Sequence, residues 1–138
     1  MSGTGPDSTM ETLEPAAPDY KSRGGLRRLV NATVYSLRGL AGAWRGEAAF
    51  RQELVVGLLL VPVAVWLAPT PGKALLLIGS ILLVLVVELL NSAIEAVSDA
   101  VTLQPNPMIG RAKDLGSAAV MLSLLLAALV WAAVLWPE

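Results

Sequence analysis

The chain contains no cysteine and no histidine. Without cysteine there are no disulfides and no thiolate metal sites. Without histidine, Ser-His-Asp triads, zincin-type sites and haem ligation by His are excluded. Acid–base or metal chemistry therefore falls to Asp, Glu, Lys, Tyr or water. Charge is scarce as well: 15% of the 138 residues are charged, against 55% hydrophobic. A soluble domain this small carries more charge than that, and the length allows one domain at most. The formal net charge of −1 points to no particular partner, and no nucleic-acid partner is expected. Two phosphate-binding patterns are missing too: there is no G-x-x-x-x-G-K-[ST] and no kinase-type glycine loop followed by a strand. A phosphotransferase built on this chain would use neither scaffold.

What is present is organised by hydropathy. Residues 1–25 carry Pro6, Pro15, Pro18 and the acids Asp7, Glu11, Glu14 and Asp19, without an apolar run. This stretch is expected to be a disordered cytoplasmic tail rather than a signal peptide. From Leu26 the pattern turns helical. Leu26, Leu29, Val30, Thr33, Leu37, Leu40, Ala41 and Trp44 share one face, while Arg27, Arg28, Asn31, Tyr35, Arg38 and Arg45 share the other. An amphipathic helix with a basic outer face suits the plane of a membrane surface. The alternative is packing on a partner protein.

Three apolar runs follow. Leu54–Ala68 is short of the ~20 residues a span requires. Adding Ala48–Phe50 reaches that length and places Arg51 and Glu53 inside it. Pro69–Gly72 reads as a tight turn. The second run goes from Ala74 to Val87 and continues as helix to Val101; Thr102–Ile109, with Pro105 and Pro107, reads as a loop; the third run is Ala118–Trp136. The expected fold is thus all-α and integral to a membrane: a surface helix, then three transmembrane helices, with residues 26–138 forming the embedded domain. Of the ten Lys and Arg, only Lys73 lies in the first turn; the rest precede the first span or sit near Gly110–Asp114. The positive-inside rule places the amino terminus and the 100–114 loop in the cytoplasm and the carboxyl terminus outside.

The middle helix carries the chemistry. Glu88, Asn91, Ser92, Glu95 and Asp99 fall within roughly 100° of arc on a regular helix. Ionisable groups inside a membrane face protein or a water-filled cleft. Acids on one stripe repel each other unless neutralised. Pairing with Arg or Lys of other helices would serve, and so would a divalent cation, since carboxylate oxygens suit Mg²⁺. Two further polar sets, Glu47–Glu53 entering the first span and Gly110–Ser117 entering the third, end at the same inner depth. There a lipid hydroxyl and a cytoplasmic nucleotide could meet. A small ion channel or a structural assembly protein remains the alternative of another class.

The segments Glu47-Ala-Ala-Phe-Arg-Gln-Glu53, Val87-Glu-Leu-Leu-Asn-Ser-Ala-Ile-Glu-Ala-Val97 and Gly110-Arg-Ala-Lys-Asp-Leu-Gly-Ser-Ala-Ala-Val120 closely resemble the prokaryotic diacylglycerol kinase family. The resemblance covers roughly residues 26 to 136. It implies an ATP-dependent lipid kinase of the bacterial inner membrane, a homotrimer with sites shared between subunits. By that resemblance, Glu88 is the catalytic base and Glu47 and Glu95 hold Mg²⁺. Asn91, Lys113 and Asp114 surround the nucleotide, Arg28 and Tyr35 on the surface helix add nucleotide contacts, and Glu53 and Ser117 line the lipid side with Glu88. Between Asp99 and Gly110, enterobacterial members have acidic, aromatic and histidine residues where this chain has Gln104-Pro105-Asn106-Pro107. Diacylglycerol and a polyprenol such as undecaprenol both fit the depth of the site. The Gly110–Val120 segment is more similar to the Gram-negative diacylglycerol kinases than to the Gram-positive undecaprenol kinases.

Overall fold

A computed structural model describes residues 25–136, so the expected tail and the last two residues lie outside the described part. The described residues form four helices: α1 (Gly25–Gly46), α2 (Ala48–Leu67), α3 (Pro71–Val101) and α4 (Pro107–Leu135). A boundary between two structural units falls after Tyr35, inside α1. In the first unit Gly25–Tyr35 is helical and exposed throughout.

The second unit holds the rest of α1 and the three long helices. α2, α3 and α4 are each long and apolar enough to cross a bilayer. α3 has 31 residues, which at ~1.5 Å per residue is about 46 Å, more than the ~30 Å of a hydrocarbon core. It is thus longer than a perpendicular span needs, and Asp99 lies in its last turn. α2 runs through Pro62 without a break, giving up one backbone hydrogen bond within the helix. α3 packs against α2 and α4, its neighbours in sequence, as short connections require of antiparallel helices. Ala64, Leu77 and Val134 form a buried apolar cluster, with Val130 and Trp131 packed against it. This lies at the end of the bundle beside the 68–70 turn. The polar stripe lies toward the other end. Phe50, Ile81 and Val84 are also buried, but much of the remaining apolar surface is bare: Leu58 is 65% exposed and Trp66 82%. In a small chain, so much uncovered Leu, Val and Trp calls for lipid or further copies as its solvent.

The helix starts have local causes. α3 begins at Pro71 rather than after a four-residue turn, because Thr70 Oγ1 accepts from the Lys73 backbone N–H at 3.2 Å. α4 begins at Pro107, not beyond Ile109: Asn106 Oδ1 accepts from the N–H groups of Met108 (2.9 Å) and Ile109 (3.4 Å). A proline in the first helical position has no N–H to leave unsatisfied, so Pro107 opens the helix instead of extending the loop. The expected Thr102–Ile109 loop shortens to 102–106, and Gly110–Ser117 is helical before the third apolar run begins.

Candidate active site

Glu47 stands alone between α1 and α2, extended at φ −106° and ψ 114°, and its side chain makes no capping hydrogen bond. The break there is held on its other side by Arg51, whose Nη1 donates to the carbonyls of Trp44 (3.1 Å) and Arg45 (3.3 Å). The last carbonyls of a helix lack intrahelical partners and carry partial negative charge, so a guanidinium there is favourable. Arg51 therefore closes α1, within the stretch that carries Glu47 and Glu53.

On α3, Glu88 is 4% exposed, an unusually deep place for a carboxyl group. It lies within electrostatic range of both Glu95 and Glu47, and Glu53 lies within electrostatic range of Glu88. Acids from the α1–α2 joint, from α2 and from α3 are thus drawn to one place. Asn91 Nδ2 donates to Glu95 Oε1 at 3.1 Å, one turn along the same stripe. Three atoms here are buried without a hydrogen-bond partner: Glu53 Oε2, Asn91 Oδ1 and Ser92 Oγ. Buried polar atoms are ordinarily satisfied. Ser80 and Ser123, by contrast, turn back to the carbonyls of Leu77 and Val120 at 2.7 Å each. Among the described residues, the orphaned oxygens are confined to the stripe and its neighbour on α2.

Lys113 on α4 bonds Asp99 Oδ1 at 2.5 Å and lies in electrostatic range of Glu95. Asp114 and Ser117 are exposed, and their side chains make no hydrogen bond within the described residues. Arg28 and Tyr35 belong to the first unit, where both are exposed. One pairing and one residue escape a reading of the sequence. Asp99 is legible as part of the stripe, but its pairing with Lys113 needs the α3–α4 hairpin. Gly116, buried beside Asn91, gives no signal of its own.

A cleft of about 420 Å³ runs between α2, α3 and α4. Gln52 and Glu53 form its polar end; Val56, Gly57, Ile81, Val84, Leu124 and Trp131 line the apolar remainder. A groove of this polarity suits an amphiphile, with an alkyl chain among the helices and a polar head at Glu53. A second concavity of about 590 Å³ lies at the 102–106 loop, bounded by Asp99, Gln104, Asn106 and Lys113. Asn106 is already committed to capping α4.

Residues 34–135 match the family model for prokaryotic diacylglycerol kinase. The chain belongs to the prokaryotic diacylglycerol kinase family. It is 48% identical to the diacylglycerol kinase of Pseudomonas aeruginosa over 116 residues, 84% of this chain and 94% of that relative. Against the diacylglycerol kinase of Escherichia coli the identity is 48% over 112 residues, 81% of this chain and 92% of the relative. A more distant member, from Helicobacter pylori, is 39% identical over 107 residues, 78% of this chain and 84% of the relative. The family match takes in Glu47, Glu53, Glu88, Asn91, Glu95, Lys113, Asp114 and Ser117, while Arg28 precedes it and Tyr35 stands at its edge.

Proposed function

We propose that this protein is a diacylglycerol kinase, transferring the γ-phosphoryl group of ATP to the free hydroxyl of 1,2-diacylglycerol to give phosphatidic acid. The single observation that carries the reading is the buried Glu88 in electrostatic range of Glu95 and Glu47, with Glu53 linking it to an apolar cleft. Family membership and the diacylglycerol kinases at 48% identity support it.

Phosphoryl transfer asks little covalent chemistry of a protein; it asks for position, charge and a proton acceptor. The lipid enters between helices with its chain in the cleft and its hydroxyl at the Glu53 end. Glu88 takes the hydroxyl proton as that oxygen bonds the γ-phosphorus. The bond from the γ-phosphorus to the bridging oxygen breaks, and ADP leaves with that oxygen. Lys113 offers its ammonium to the phosphates, with Asp99 as its resting partner. Asn91, Asp114, Arg28 and Tyr35 are the further nucleotide contacts, and Ser117 joins Glu53 on the lipid side.

Among the described residues no three acidic side chains form a ready metal cage. Mg²⁺ does not require one, because it is held by one or two carboxylates together with substrate phosphates and water. The donor set fits: the Glu47 side chain makes no capping hydrogen bond, Glu95 receives one hydrogen bond among the described residues, and the unpartnered atoms nearby are all oxygens. Glu47 and Glu95 would hold the ion, which would supply positive charge to offset that of the phosphates. The protein works in the bacterial inner membrane as a homotrimer, with the amino terminus cytoplasmic and the carboxyl terminus outside, in keeping with the Lys and Arg distribution.

The test presents purified protein with Mg-ATP and each lipid separately in matched mixed micelles. Diacylglycerol should be phosphorylated faster than undecaprenol at equal mole fraction. The reverse order would replace the substrate and keep the kinase. Turnover of neither lipid by folded protein would refute the enzyme reading.

A further inference from the structure

We infer that Gly116 of α4 is a positioning residue for the Asn91–Glu95 pair, acting through the β-carbon it lacks. The inference rests on the reading of Asn91 and Glu95 as nucleotide and metal groups. Glycine weakens a helix interior, and the glycines of these helices differ in what surrounds them. A β-carbon built on Gly39, Gly42, Gly79 or Gly110 would meet nothing within 4 Å. On Gly57 it would meet the methyl Cγ2 of Ile81 at 2.8 Å. On Gly116 it would run into Asn91 Oδ1, with Asn91 Cγ at 3.4 Å and Ile94 Cδ1 at 3.7 Å.

Gly116 therefore leaves the space into which the Asn91 carbonyl points. That space fixes which way the amide points. Its Nδ2 faces Glu95 Oε1 at 3.1 Å, the only sensible orientation beside a carboxylate, since Oδ1 in that place would repel it. Its Oδ1 is left buried and unpartnered toward α4. A methyl group at position 116 occupies the space of Oδ1. The amide must rotate, Nδ2 leaves Glu95, and that carboxylate loses the bond that orients it next to Glu88 and Lys113. A small misplacement of a group that positions phosphates lowers the rate steeply, by about 10²-fold for 1 Å.

A double-mutant cycle tests this, on full-length protein in detergent, with Gly116→Ala, Asn91→Ala and the double variant. Two quantities are read: the unfolding midpoint and the dissociation constant for Mg-ATP. Gly116→Ala alone should weaken Mg-ATP binding about tenfold or more and lower the midpoint. In the Asn91→Ala background, where the obstructing amide is gone, the same change should not lower the midpoint below that of Asn91→Ala, and the better helix propensity of alanine should hold or raise it. If Gly116→Ala does not fold, the double variant should. An equal loss of stability in both backgrounds, unchanged Mg-ATP binding in Gly116→Ala, or a double variant that fails to fold would overturn the role of Gly116. If Asn91→Ala itself binds Mg-ATP as the wild type does, the nucleotide reading of Asn91 falls first and this inference falls with it.

Discussion

Burying Glu88 at 4% exposure, beside two other acids, is unfavourable for folding, and none of the hydrogen bonds around it repairs that. The arrangement makes sense for a group that must give up contact with water to act on a hydroxyl. Glu88→Gln preserves size and polarity and removes the proton acceptor. Turnover should fall by about 10²-fold or more, with the dissociation constant for Mg-ATP nearly unchanged. Parallel loss of binding and turnover would make Glu88 a binding group instead. Glu95→Gln separates a different function. The glutamine can still accept the Asn91 hydrogen bond, so α3 should keep its packing while one metal-binding charge disappears. Activity should be abolished and Mg²⁺-dependent nucleotide binding weakened, in protein whose unfolding midpoint has not moved; a normal Mg²⁺ titration would exclude Glu95 from metal binding.

Whether these side chains meet depends on where the helices start and stop. Asn106 sets the start of α4, and with it the register of Lys113 against Asp99. Asn106→Ala should cost about 1 kcal/mol, read as a lower unfolding midpoint in detergent, while Asn106→Asp should lose much less. No change in Asn106→Ala would mean the cap contributes nothing. The same residue marks how far the sequence alone reaches. The three spans are legible in it because an unbroken apolar run near 20 residues is the length a bilayer demands and far more apolar than a surface helix tolerates. The stripe from Glu88 to Asp99 is legible because 100° per residue is a property of any α-helix. Pro105 and Pro107 look alike as breakers, yet only the geometry at Asn106 reveals that Pro107 opens a helix. Arg51 looks like an awkward charge inside a span, and only the fold turns it back onto the carbonyls of α1. The pairing of Lys113 with Asp99 and the clearance at Gly116 depend on how two helices face each other, which periodicity within one helix does not encode.

One copy of the chain gathers Glu47, Glu53, Glu88, Asn91, Glu95 and Lys113, but Asp114 and Ser117 stay exposed, their side chains without a hydrogen bond among the described residues. On the face of α3 opposite the stripe, Leu90 and Val97 are 60% and 65% exposed, apolar surface that lipid or other copies would cover. If Asp114 serves the nucleotide, as proposed, it does so most simply in the site of a neighbouring subunit. Mixed oligomers distinguish the two arrangements. Glu88→Gln and Asp114→Asn, each inactive alone, should regain activity when their subunits are mixed. A site can then draw intact Glu88 from one chain and intact Asp114 from the next. Glu88→Gln mixed with Glu95→Gln should stay inactive, because both groups belong to the same helix, and every site inherits one defect or the other. The first mixture measures sharing; the second shows that recovered activity is not caused by a trace of wild-type protein or by loose tolerance of one bad subunit. Failure of the first mixture, with mixed oligomers demonstrated by tagged subunits, would place the whole site within a single chain. Recovery in the second would mean that Glu88 and Glu95 serve different sites, against the hydrogen-bonded stripe on which the mechanism is built.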